Sequence, residues 1–190
     1  MEKLHILKKI SLVLASILLC SCVAAVVTSA AVGIIYDKRG VLTMEADARL
    51  FHVIHKALVS NPQLRDARVL VTSFNRVVLL VGQTPSMAQK QLAGRIAQNT
   101  SGVQRVYNEI NVQYPIPLTQ RTKDSLITSQ VRSSMLARRG LESGSIRIVT
   151  EDGVVYLMGI VTDEQASLAV DVARRVNGVR KVVKTFQYIR

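Results

Sequence analysis

The chain has 190 residues, which is enough for one ordinary domain or two small ones. Hydrophobic residues make up 48% of it, so a packed core is possible and a low-complexity chain is excluded. Lys and Arg number 25 against 13 Asp and Glu, a balance of +12 that predicts an acidic partner: nucleic acid, an anionic membrane surface or an acidic protein.

Residues 1–21 predict a lipoprotein signal peptide. A short lysine-containing stretch precedes an apolar run over 10–19, which is the order of a secretory signal. The run ends in Leu-Cys-Ser-Cys over 19–22, which resembles the bacterial lipobox. This resemblance implies cleavage before Cys22, diacylglycerol on its sulfur and an acyl group, such as palmitate, on the new amino terminus. Val23 follows, which resembles the default sorting pattern for the outer membrane.

An uncleaved signal anchor is the alternative. The apolar sequence from Ile10 to Tyr36 is long enough to span a bilayer, for which about 20 residues suffice. Thr28, Ser29 and Gly33 interrupt its second half, and this favours the lipoprotein. After cleavage and acylation the body has no free thiol, so the sequence predicts neither a disulfide nor a cysteine metal site.

A repeat organises the remainder of the chain. Val-Val-Leu-Leu-Val-Gly over 77–82 returns as Val-Val-Tyr-Leu-Met-Gly over 154–159, an offset of 77 residues. Two copies predict two small domains rather than a solenoid. The same offset relates Leu50, Ile54 and Leu58 to Ile127, Val131 and Met135.

Each copy predicts the order helix, strand, strand, helix, strand. The apolar residues at i, i+4 and i+8 form one helical stripe, and Asp152-Gly153 is a hairpin signal between two strands. The second helices are expected to start after N-caps at Thr84 and Thr162. The fold class is therefore α+β: two tandem αββαβ domains, each a three-stranded sheet with two helices on one face.

The domain boundaries follow from these elements. After the signal, a lipidated tether is expected over 22–43 and the first domain over 44–114. A proline-containing linker is expected over 115–121 and the second domain over 122–190.

The repeated unit resembles the BON domain, and the chain from Cys22 onward resembles the dual-BON outer-membrane lipoproteins of the DolP (YraP) type. The motifs that carry this resemblance are Val78–Gln83, Val106–Ile110, Leu157–Gly159, Val161-Thr162 and Arg175–Val179. The resemblance implies a non-enzymatic protein, lipid-anchored in the outer membrane and facing the periplasm. Such proteins support outer-membrane integrity and concentrate at the division site. They are also linked to the outer-membrane assembly machinery and to septal peptidoglycan hydrolase control.

The resemblance further implies that the first helix of the second domain binds anionic phospholipid. The family pattern of that helix is aromatic-Ile-Thr-x-Lys-Val-Arg-Ser. This chain departs from it, with Leu126 at the aromatic position and Gln130 at the lysine. Weaker binding is therefore expected, with Arg132 retained and Arg138 and Arg139 supporting it. The expected phospholipid-binding residues are Leu126, Gln130, Val131, Arg132 and Leu136.

Spacing alone gives a different interpretation of some of these residues. Ile127 and Met135 are core candidates, and Val131 shares their stripe, so only the family pattern places Val131 outward. Leu126 and Leu136 are equally compatible with exposure or burial. Exposed beside Arg132, they would form an interfacial patch.

Other functions find less support. His52 and His55 have a spacing that can chelate a metal, but no further ligand joins them, so neither a metal nor a cofactor is expected. No phosphate loop, serine elbow or paired catalytic carboxylate predicts an enzyme. Nucleic-acid binding is disfavoured by export and by the lack of an aromatic stacking platform. The main alternative is a protein-interaction scaffold for outer-membrane assembly or hydrolase control, without direct lipid recognition.

Overall fold

The computed structural model describes residues 40–189, and both domains lie in one compact unit, Lys38–Arg190. The predicted order of elements is confirmed twice. The first domain contains α1 (Val41–Val59), β1 (Arg68–Phe74), β2 (Val77–Thr84), α2 (Met87–Gln98) and β3 (Arg105–Val112). The second contains α3 (Leu118–Ala137), β4 (Ile146–Glu151), β5 (Val154–Val161), α4 (Asp163–Arg174) and β6 (Lys181–Tyr188). A short 3-10 turn follows the first helix of each domain, at Pro62–Leu64 and Ser143–Ser145.

Each domain has one mixed three-stranded sheet. The strand orders are β1-β2-β3 and β4-β5-β6, so the second strand is central in both. It pairs antiparallel with the strand before it, through a tight hairpin, and parallel with the strand after it. The parallel pairing requires a crossover connection, which α2 and α4 supply.

Both helices of each domain pack on one face of its sheet, as predicted. In the first domain, Leu50, Ile54 and Leu58 of α1 and Ala93 and Ala97 of α2 are buried in one apolar core. The second domain repeats this core with Ile127, Val131, Met135, Ala169 and Ala173. Alanines at these positions let α2 and α4 lie close to the strands.

The two sheets also bury their other faces, against each other. Phe74, Leu79 and Val81 of the first domain form one apolar cluster with Tyr156 and Met158 of the second. Burial there raises the pKa of Tyr156 to about 12, and the Glu109 carboxylate acts in the same direction. The described chain is therefore layered as helices, sheet, sheet, helices, with the two helical layers on opposite outer faces.

Buried polar groups connect the sheets at the margin of this cluster. The carboxylate of Glu151 accepts a hydrogen bond from Gln83 Nε2 at 2.6 Å and pairs with the guanidinium of Arg68. Asn75 Nδ2 donates to Gln187 Oε1 at 2.7 Å, also across the domains. Because an unpaired buried charge is costly, these contacts select one relative placement of the two domains.

The segment between the domains is tied into this interface. Ile116 is buried, its N–H donates to Gln83 Oε1 at 3.2 Å, and its carbonyl accepts from Arg121 Nε at 3.0 Å. The helix α3 begins at Leu118, within the segment 115–121 that was expected to be linker. Pro117 precedes the first turn with φ −66°, a backbone angle that suits a helix start.

Two further element starts differ from expectation. The helix α1 begins at Val41, within the segment 22–43 expected as tether. The prediction of Thr84 as an N-cap is wrong, because Thr84 is the last residue of β2 and pairs with Val112. Ser86 caps α2 instead, with its hydroxyl accepting from the N–H of Gln89 at 3.3 Å. Among residues 40–189, no helix is both long and apolar enough to cross a bilayer.

Candidate membrane-binding surface

The helix α3 is held in a fixed rotation by its buried side. Ile127, Val131 and Met135 recur every four residues and all lie in the core of the second domain. Val131 has 0% of its surface exposed, so its assignment to the phospholipid-binding set is corrected. The physical reason is its place in the middle of the apolar stripe, which the family pattern does not outweigh.

A buried carboxylate reinforces this rotation. Asp124 accepts hydrogen bonds from the N–H of Asp152 at 2.7 Å and of Gly153 at 2.8 Å, at the hairpin between β4 and β5. Asp47 of α1 does the same for Asn75 and Arg76 in the first domain. The two aspartates are 77 residues apart, so the repeat offset was the signal that could have identified them.

The opposite side of α3 carries three exposed leucines, of which Leu118, 72% exposed, is the first residue of the helix. Leu126 is 60% exposed and Leu136 is 70% exposed. Helix geometry places them about 15 Å apart along the axis and about 80° apart around it. Between them lie small hydroxyl residues, and Ser125 and Ser129 each donate to the carbonyl four residues earlier at 3.1 Å. The leucines are therefore the large apolar groups of this face.

Exposed cations accompany the leucines. Arg132 lies about 120° around the helix from Leu126, and Arg138 and Arg139 follow the helix C-terminus, where positive charge also complements the helix dipole. Gln165 of α4 holds the following loop, donating to the carbonyl of Gly140 at 2.6 Å. Gln130 is exposed on the Leu126 side of the helix.

Other basic residues of the second domain are engaged locally. Arg174 and Arg175 both pair with Asp171, at 2.7 and 2.9 Å. The hydrogen bond from Arg174, supported by the one from Arg175, lowers the pKa of the Asp171 carboxyl. In the part of the chain described, the cations beside the exposed leucines are thus better placed to meet an external anion than this pair.

The remaining candidate sites are Cys22 and the histidine pair of α1. Cys22 lies outside the described residues, so its acylation stays a prediction. His52 and His55 are exposed on α1, and the ring of Phe51 stacks on His55 with centroids 5.5 Å apart. Within residues 40–189, no group of three or more His, Cys, Asp and Glu side chains is placed to hold a metal.

The fold and sequence together define the class of protein. Residues 46–114 and 123–190 each match the BON domain, and the chain belongs to this family. Its two-domain arrangement is that of the DolP type: it is 37% identical to "Outer membrane lipoprotein DolP" of Haemophilus influenzae over 187 residues, covering 96% of this chain and 97% of that protein.

Two further relatives span much of the chain. The "21 kDa hemolysin" of Actinobacillus pleuropneumoniae is 36% identical over 155 residues, or 81% of this chain and 80% of that protein. "Osmotically-inducible protein Y" of Escherichia coli is 28% identical over 139 residues, or 72% of this chain and 69% of that protein.

Proposed function

We propose that this chain is a non-enzymatic outer-membrane lipoprotein, anchored through acylated Cys22, that binds anionic phospholipid through α3. By this means it supports outer-membrane integrity at the division site. The name of the Haemophilus relative supports the location. The observation that carries the lipid assignment is the pair of exposed leucines, Leu126 and Leu136, on the same helix as Arg132.

The chemistry of this face suits a membrane interface. Leucine side chains gain free energy on entering the acyl boundary, and each nearby Lys or Arg contributes about 1 kcal/mol at an anionic surface. The buried stripe of α3 fixes the helix, so no rearrangement is needed to present these groups. The face is solvated until a membrane covers it.

Replacing Leu126 with Asp and Arg132 with Glu should abolish binding to anionic vesicles. The arginine reversal removes about 2 kcal/mol, the new carboxylate at 126 about 1 kcal/mol and the loss of leucine insertion about 1 kcal/mol, which together correspond to about 1000-fold in affinity. The measurement is flotation of the unit Lys38–Arg190 with vesicles containing phosphatidylglycerol, compared with phosphatidylcholine alone.

The first domain offers a matched control. Val53 and Lys56 are exposed on α1, in the opposite helical layer, and Val53→Asp with Lys56→Glu makes the same change in charge. This control should float like the unmodified protein. Equal binding of the unmodified protein to both vesicle types, or unchanged binding of the α3 variant, would contradict the proposal.

The anchor is tested separately in cells. Globomycin, which inhibits cleavage of lipoprotein signals, should raise the mass of the protein by that of residues 1–21 less that of the acyl group that only the cleaved amino terminus can receive. Cys22→Ser should give a protein that no longer fractionates with the outer membrane. An unchanged mass with the inhibitor would show that the lipobox prediction is wrong and would favour the uncleaved anchor.

A protein-interaction scaffold is the second candidate. The observation that favours it is the exposure of Val41, Leu42, Val53 and Val59 on α1, in the helical layer opposite α3. If the α3 variant keeps its vesicle binding but the α1 variant loses function in cells, the scaffold becomes the better account.

A further inference from the structure

A groove of about 570 Å³ runs between α3 and the loop that precedes β6. Its rim carries Gln120, Lys123, Leu126, Gln130, Asn177 and Arg180. At its base, Gly178 has φ +88°, and a Cβ there would lie 3.0 Å from Ile127 Cδ1. A glycine at this position therefore keeps the loop close to the helix and the groove open above it.

The groove contains one uncompensated cation. Arg180 Nη2 pairs with Asp152 Oδ2 at 2.6 Å, so the carboxylate of the groove is already neutralised. The side chains of Lys123, Gln130 and Asn177 have no intramolecular hydrogen-bond or ion-pair partner within residues 40–189. An ammonium and two amides thus converge on the same open space, with donors available for an external oxyanion.

The repeat builds an equivalent groove in the first domain, and its lining differs. There Ala46 stands at the position of Lys123, and Arg49 at that of Leu126. Arg49 pairs with Glu45 at 3.1 Å, so an ion pair with a carboxylate occupies the helix rim. A cation, Arg76, lies on the hairpin side. In the second-domain groove the helix-borne cation, Lys123, has no carboxylate partner in the described part of the chain, and Leu126 takes the place of Arg49.

We propose that the second-domain groove binds the phosphate group of a glycerophospholipid headgroup. This inference rests on the proposed function and adds a defined site to it. Leu126 lines the groove and is also one of the exposed leucines of the side of α3 proposed to face the membrane. A lipid whose acyl chains lie beside Leu126 therefore has its phosphate within reach of Lys123, and its polar headgroup faces the amides of Gln130 and Asn177.

Lys123 and Gln130 offer different groups to the headgroup. Lys123 lies two helical turns before Gln130, about 10 Å along the axis, and lines the same groove. The ammonium of Lys123 supplies the charge for the phosphate, and the amide at 130 supplies a hydrogen-bonding group.

The test uses two pairs of variants in the unit Lys38–Arg190, one that removes a positive charge from each groove and one that removes an uncharged polar group from each. Lys123→Gln should weaken binding to phosphatidylglycerol vesicles about fivefold, while Arg76→Gln in the first-domain groove should leave it within about twofold. Asn177→Ala, which changes no charge, should weaken binding about threefold, and its counterpart Ser101→Ala should not. Equal losses for the members of both pairs would overturn the site.

Titration with glycerol 3-phosphate identifies the source of the phosphate. The readout is the NMR chemical shift of the backbone amides of Gly153 and Gly178. Saturable shifts that disappear in Lys123→Gln support a site for phosphate esters in general. No shift, combined with the vesicle effects above, supports a site for membrane lipid alone. No shift and no vesicle effect of Lys123→Gln or Asn177→Ala overturns the site.

The two proposals fail in different ways. If Leu126→Asp with Arg132→Glu abolishes vesicle binding while Lys123→Gln and Asn177→Ala do not weaken it, the groove is wrong and membrane binding by α3 stands. If the unmodified protein does not bind anionic vesicles but glycerol 3-phosphate saturates the groove, membrane binding is wrong and the groove is a site for soluble phosphate esters instead of lipid.

Discussion

Replacing Gly82 with alanine is expected to lower the free energy of unfolding by about 4 kcal/mol. Gly82 has φ +124°, a conformation that side-chain-bearing residues rarely adopt. A Cβ there would lie 2.0 Å from the carbonyl oxygen of Arg68, so β1 and β2 would have to separate. Arg68 also pairs with Glu151, and the displacement would therefore reach the interface between the domains.

Urea denaturation of the unit Lys38–Arg190 measures this loss. Gly140→Ala is the control, because Gly140 also has positive φ, at +80°, but nothing lies within 4 Å of the position that an added Cβ would take. That variant should lose only about 1 kcal/mol, the cost of backbone strain alone. Similar losses for the two variants would show that the close approach to Arg68 is unimportant.

Leu79→Ala is expected to destabilise the protein by about 4 kcal/mol and to loosen the second domain although Leu79 lies in the first. Leu79 is fully buried between the two sheets, in the cluster that contains Tyr156 and Met158. Removing its side chain leaves a cavity that both sheets line. Hydrogen exchange of the β5 amides should therefore become faster.

The adjacent residue provides the comparison. Leu80 is equally buried, but it points to the other face of β2, into the core of the first domain. Leu80→Ala should cost a similar free energy of unfolding. Its direct effect on native-state exchange should be centred on α1 and β1. If both variants change exchange in β5 to the same extent, the sheet-to-sheet contact does not couple the domains in the way described.

Local patterns predicted the architecture within each domain. The stripes at Leu50, Ile54 and Leu58 and their counterparts indicated the buried sides of α1 and α3. Asp152-Gly153 forms the predicted hairpin, with positive φ at both residues. Thr162 caps α4, accepting a hydrogen bond from the N–H of Gln165 at 3.3 Å. These features depend on residues within one helix or one hairpin, so sequence spacing is sufficient to predict them.

The contact between the sheets was not predicted, although a signal for it exists. All eight residues of β2 are buried, and a continuous apolar run indicates a strand covered on both faces. The prediction of two separate small domains explained the burial of only one face of β2. The polar network around Glu151 could not be foreseen, because Gln83 and Arg68 come near it only through packing of the domains.

The exposed side of α3, the proposed membrane-binding surface, was predicted in part. The position of the helix and the exposure of Leu126 and Leu136 agree with the family pattern. Val131 is buried with the apolar stripe instead. Lys123 and Asn177 were not assigned to a binding site because they are far apart in the sequence and share no motif. Only the close packing of the loop at Gly178 on Ile127 brings them to one groove.

The sheet-to-sheet packing also fixes a standoff distance. Successive layers of helix and sheet lie about 10 Å apart, so the axes of α1 and α3 are separated by about 30 Å. In the orientation proposed above, with α3 on lipid, α1 is held at that height from the bilayer. The two domains would then act as a rigid spacer that presents the exposed valines and histidines of α1 at a constant distance from the membrane.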